Sequence, residues 1–180
     1  MLALAACGGT QTQAQVSPST SASASPADSL GPFTCSNRSG GVANAFMDLR
    51  AIRIAHQTGF DRITFEFSPW VDTPTGGQAG MPPYQLTQQA STQFYKDASG
   101  QPVTLTGTAG LKVVFQNSSG YGTYSGSQDL KPGTVSITEV TQLGDFERTL
   151  SWGIGLNRST CYRTVELSNP TRLAIDFQTS

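Results

Sequence analysis

The chain has 180 residues, a formal net charge of -1, 13% charged residues and 19 glycines, with 37% of its residues hydrophobic. Its 11 Lys and Arg are scattered among 12 Asp and Glu, so it shows neither the clustered basic face of a nucleic-acid binder nor a basic patch for anionic lipid headgroups. No stretch approaches the roughly 18 apolar residues of a spanning helix, so any membrane attachment has to come from covalent lipid.

At the head of the chain, Leu4-Ala5-Ala6-Cys7 places an apolar residue and two small ones before a cysteine, and resembles the lipobox of bacterial lipoprotein signals. The residue types follow from the chemistry. A signal peptidase admits small side chains before its cut, and the cysteine thiol is the nucleophile that takes up diacylglycerol. Gly8 and Gly9 leave the acylated end unobstructed. The resemblance implies lipidation at Cys7 and an extracytoplasmic address on the bacterial cell membrane, where two acyl chains at about 0.8 kcal/mol per buried methylene give a stable hold. Residues 1–7 are short of the roughly 7 to 15 apolar residues of a full signal, so the natural start is expected further upstream. A chance Leu-Ala-Ala-Cys opening a cytosolic protein is the alternative.

Residues 8–34 are expected to be a disordered tether. From Thr10 to Pro32 the tract is Ser, Ala, Thr, Gln and Pro with almost no bulky apolar residue, too little to offset the entropy of ordering. Its mean reach is about 25 to 30 Å, from the square-root scaling of a flexible chain.

Residues 35–180 alternate apolar and polar side chains with a period of two, which predicts an all-β domain. A short helical turn over Val42 to Leu49 comes first. Ile63, Phe65 and Phe67 then face one way, with Arg62, Thr64 and Glu66 opposite. Leu111, Val113 and Phe115 repeat the pattern, Val135 and Ile137 begin another run, and Leu150, Trp152, Ile154 and Leu156 make a longer one against Ser151, Gly153 and Gly155. Leu173, Ile175 and Phe177 close the series. Turn signals such as Gln57-Thr58-Gly59, Asp97-Ala98-Ser99-Gly100 and Lys131-Pro132-Gly133 separate the runs. Half-polar strands predict sheets wet on one face, stacked as a sandwich or closed as a barrel. Cys35 and Cys161 make a natural disulfide if the protein is exported, contributing up to about 4 to 5 kcal/mol through lost chain entropy. Two unpaired thiols are the alternative.

Several stretches in this region resemble the AMIN-like domain of bacterial envelope lipoproteins. They are His56 to Phe67, Tyr84-Gln85-Leu86, Asp97 to Val103, Gly144-Asp145-Phe146-Glu147, and Pro170 to Phe177. The resemblance covers about residues 48–180 and implies an AMIN-like β-sandwich of short antiparallel strands. It also implies an envelope role, in which AMIN domains bind peptidoglycan or localise their host.

For catalysis the signals are thin. The lone His56 with Asp61 and a serine would make a triad in principle, yet no Gly-x-Ser-x-Gly elbow frames any serine, and an exposed turn histidine is the plainer reading. One histidine and two committed cysteines leave no zinc set, and no metal or cofactor is expected. Asp145 and Glu147, two apart on a strand, would share a face and flank a sugar bond, or form local ion pairs with Arg148 in a hydrated loop. Arg62 with Glu66 and Arg172 with Asp176 read as cross-strand pairs that set register. Trp70, Tyr121 and Tyr124 sit in Gly-rich loops where flat rings with a polar tip suit sugar faces, or else pin their own loops. The candidate ligand contacts are therefore Trp70, Tyr121, Tyr124, Asp61, Arg62, Asp145 and Glu147, with no catalytic residue. Peptidoglycan, wall glycan or an envelope protein is the expected partner, and a non-catalytic binding or localising domain the expected function. A structural or assembly factor is the alternative, and an unrecognised hydrolase a more distant one.

Overall fold

The computed structural model describes residues 30–180; Cys7 and tether residues 8–29 lie outside them. Among the described residues every regular element is a strand. One sheet contains β2 (Met47–Gln57), β3 (Phe60–Pro69), β8 (Ser118–Ser119), β12 (Tyr162–Leu167) and β13 (Thr171–Gln178), in the spatial order β12-β13-β3-β2-β8. The other contains β1 (Arg38–Gly40), β4 (Tyr84–Gln89), β7 (Ala109–Phe115), β9 (Asp129–Leu130), β10 (Ile137–Phe146) and β11 (Thr149–Leu156), ordered β1-β4-β7-β11-β10-β9. A small hairpin pairs β5 (Gln93–Tyr95) with β6 (Pro102–Thr104). Among the named strands, every pairing is antiparallel except that of β2 with β8.

The expected β-sandwich is what forms, because the apolar phase of each long strand turns toward the other sheet. Ile63, Phe65, Phe67, Leu173, Ile175 and Phe177 from the first sheet meet Leu111, Val113, Phe115, Leu150, Trp152, Ile154 and Leu156 from the second, all buried in one cluster. Phe65 packs edge to face on Phe115 at 5.2 Å and 62°, and Trp152 lies tilted at 6.4 Å from Phe65. Cys35 and Cys161 are joined by a disulfide with their Cα atoms 4.3 Å apart. Folding starts slightly ahead of residue 35, since Thr34 pairs with Tyr162 and the Phe33 ring lies under the Arg163 guanidinium at 4.5 Å.

Four expectations are corrected. The helical turn predicted over Val42 to Leu49 gives way to a loop and then β2. Met47 and Leu49 there face Pro69 and Phe67, and the ladder with β3 supplies backbone partners that a single isolated turn lacks. The run begun by Val135 is broken, with Val135 exposed and Ile137, Val140 and Leu143 buried at intervals of three. Register shifts between Ile137 and Glu139 and between Gln142 and Gly144 add residues that reset the alternation. The Ser151, Gly153 and Gly155 side of β11 is also dry, because the β5–β6 hairpin lies on it. Phe94 fills the space left by the missing side chains, and a Cβ on Gly110 would sit 2.6 Å from its ring. Finally, the ion pairs made from β3 differ in partner: Arg62 faces Asp176 of β13 and holds it at 2.6 and 2.9 Å, while Glu66 takes Arg53 of β2 at 2.5 Å.

Candidate functional site

One opening lies where the two sheets part beside the end of β10. Opposite it, the Gly-rich segment Gly120–Gly126 crosses the gap between Leu49 of β2 and Gln142 to Asp145 of β10, leaving a groove of about 420 Å³. Three side chains hold that segment in place. Asp145 accepts a hydrogen bond from the Gly120 amide at 2.8 Å, Thr123 donates to the Leu49 carbonyl at 2.8 Å, and Tyr124 donates to the Ser127 carbonyl at 2.9 Å. The Tyr124 ring stands perpendicular to Trp152 at 5.8 Å, and its burial raises the phenol above its ordinary pKa of 10.0. The loop is thereby tied to the core. Its next ring is not: Tyr121 is 90% exposed, beside the groove. Lys96, Gln128 and Gln142 supply the polar lining, and the Lys96 ammonium donates to the Gln142 carbonyl at 2.5 Å.

A second groove of about 410 Å³ opens on the other side of the same strand end. Its floor is Val114 and Thr149, and its sides are Asp97 with Ala98 and Phe146 with Glu147. Phe146 is 65% exposed. Burial would raise the Asp97 carboxyl, but the Lys112 ammonium at 2.8 Å and the Ser151 hydroxyl outweigh it and hold the pKa below 3.8. The wall between the grooves is short. Lys96 and Asp97 pack on Leu143 and Gly144, with the Asp97 amide donating to the Leu143 carbonyl at 3.2 Å.

The residues chosen from the sequence divide among three surroundings. Tyr121, Tyr124 and Asp145 are brought together at the first groove, and Glu147 lines the second. Asp145 and Glu147 therefore do not share a face, because Glu147 stands in the hairpin turn at φ 47°, followed by Arg148 at φ 56°. Arg148 pairs with neither of them; it reaches Asp48 and the carbonyls of Met47 and Asn117 at 2.9, 2.9 and 3.2 Å. Its guanidinium lies 4.1 Å over the Trp70 ring, whose next neighbour is Phe46 at 6.1 Å. Trp70 thus pins its own loop.

Asp61 and Arg62 lie apart from both grooves. Asp61 is completely buried, and one of its oxygens takes the amides of Ser136 and Ile137, so it ties β3 to the approach of β10. Its other oxygen meets His56 Nδ1 at 2.7 Å. Burial alone would raise the Asp61 carboxyl, yet these bonds and the Thr134 hydroxyl lower it below 3.8. A base and its orienting carboxylate are present in that pair, but among the described residues no serine hydroxyl bonds to the second ring nitrogen. Arg62 is spent on Asp176, which also receives Arg163 at 2.9 Å.

Residues 47–179 match the AMIN-like domain. The chain belongs to the AMIN-like family. Neither a curated protein nor a solved structure matches it. AMIN-like domains are binding modules of extracytoplasmic envelope proteins. Two of the stretches that carry the family resemblance, Asp97 to Val103 and Gly144 to Glu147, meet at the wall between the grooves. Lys96, Gln128 and Gln142 join the groove without a sequence signal. No pattern marks them, and a register shift in β10 next to Gln142 obscures which way its side chain turns.

Proposed function

We propose that this AMIN-like domain is a non-catalytic module that binds wall glycan at the groove beside Tyr121, held at the envelope by lipid on Cys7. The exposed Tyr121 ring carries the reading. A ring 90% open to solvent, on a loop fixed from beneath by Asp145, Thr123 and Tyr124, is a stacking face whose position costs a ligand little to organise. Around it, the Gln128 and Gln142 amides, Asp145 and Lys96 offer donors and acceptors for hydroxyl and acetamido groups. Retention on purified peptidoglycan tests the proposal. The wild-type chain should sediment with the wall, and Tyr121→Ala should not. Wild-type retention no higher than that of a lipoprotein of similar charge would overturn it.

An assembly factor that binds an envelope protein by strand addition is the competing reading. It rests on the outer edge of β12, where the pairing with Thr34 stops at Tyr162 and Leu167 stays exposed. Crosslinking in intact cells separates the two, since this reading predicts one dominant protein adduct that survives Tyr121→Ala.

A further inference from the structure

The second groove repeats the chemistry of the first. Each has an exposed aromatic ring, Tyr121 in one and Phe146 in the other, with carboxylates and a lysine at the rim: Asp145 and Lys96, then Asp97, Glu147 and Lys112. The two volumes, about 420 and 410 Å³, are nearly equal. They also share a wall one residue thick, because Asp145 and Phe146 are neighbours on β10 and so are Lys96 and Asp97 in the chain, with one of each pair lining each groove. Successive strand residues point to opposite faces, about 3.8 Å apart at Cα, so the two grooves lie back to back and a polymer running from one to the other bends around this wall at the end of the strand.

The wall is built to stay. Asp97 is held by Lys112 and Ser151 on one side and bonded through its amide to Leu143 on the other. Phe146 is positioned by the turn that follows it, which Arg148 locks through Asp48 and two carbonyls. The Glu147 side chain, by contrast, makes no hydrogen bond or ion pair among the described residues. With it, the second groove offers a free carboxylate beside an open ring, a polar partner for sugar hydroxyls next to a stacking face.

We infer that Phe146, Glu147 and Thr149 form a second sugar subsite, so that one glycan strand occupies both grooves and crosses the wall at Asp97 and Gly144. The inference rests on the glycan reading of the Tyr121 groove. It makes affinity depend on length, since the second contact is intramolecular once the first has formed.

Titration of the full chain with a disaccharide and a hexasaccharide from muramidase-digested peptidoglycan tests it. Wild type should bind the hexasaccharide at least about tenfold more tightly than the disaccharide. Phe146→Ala should keep disaccharide binding and lose that gain, whereas Tyr121→Ala loses both. Phe146→Trp should keep the gain, and its emission should change with the hexasaccharide only. Binding of both lengths with equal affinity, or a full length gain in Phe146→Ala, overturns the second subsite and leaves the first groove standing. No binding of either length overturns the glycan reading itself.

Discussion

Two aromatic loops looked alike in sequence, Trp70 before its Gly- and Pro-rich stretch and Tyr121 between Gly120 and Gly122, and they have opposite fates. Trp70 lies under the Arg148 guanidinium at 4.1 Å and beside Phe46, so its ring closes a contact between distant parts of the chain. Tyr121 is left open, because its neighbour Tyr124 takes the place on Trp152. The difference teaches that an aromatic in a flexible stretch is a binding candidate only when no cation or ring from elsewhere reaches it. Arg148 is 78 residues away from Trp70, so nothing local could reveal the contact.

Removing the distant partner breaks the contrast most severely. Arg148→Ala should cost about 2 to 4 kcal/mol, because it strands Asp48 and two carbonyls and leaves a costly turn geometry without its lock. Urea unfolding checks the loss, and a cost below about 0.5 kcal/mol would mean that Arg148 does not hold the Trp70 side. Trp70→Ala comes next, at about 1 to 3 kcal/mol, with wall retention unchanged. Should retention fall at equal stability, Trp70 would join the binding surface.

Acidification sharpens the same comparison. Asp61 and Asp97 both have folded-state pKa values below 3.8, so their stabilisation is complete above that pH and is lost as pH falls through the lowered values. Asp61→Asn should therefore be less stable than wild type at pH 7 and converge with it as pH falls through the lowered Asp61 value, followed by urea unfolding across the acid range. A difference that stays constant with pH would show that the carboxylate charge is not what Asp61 contributes. The smallest effect on the fold belongs to Tyr121→Ala, within about 0.5 kcal/mol by thermal unfolding, although it should abolish wall retention.

Much of the architecture was legible because it is written locally. Alternation placed Ile63, Phe65 and Phe67, then Leu150, Trp152, Ile154 and Leu156, on the buried side of their strands, and each of these residues is in the core. Where extra residues enter a strand, as in β10, the period fails and so did the reading from Val135 onward. The candidate site was half legible. Tyr121, Tyr124 and Asp145 carry a sequence signal and do meet, but Lys96, Gln128 and Gln142 come from segments with no motif of their own, and Phe146 is marked only as part of a family stretch.

By itself, then, the sequence determined the all-β class, the inward phase of the regular strands and the family, consequences of residue type and short-range spacing, and the cysteine pair, a consequence of there being two cysteines besides Cys7. Tertiary structure alone decided that Gly110 and Gly153 lie under Phe94, that Glu147 and Arg148 turn a hairpin without glycine, and that Tyr121 rather than Trp70 stays free. The physical reason is common to all three. Each depends on a partner brought from far along the chain, and the free energy of that contact overrides the local preference that a sequence displays.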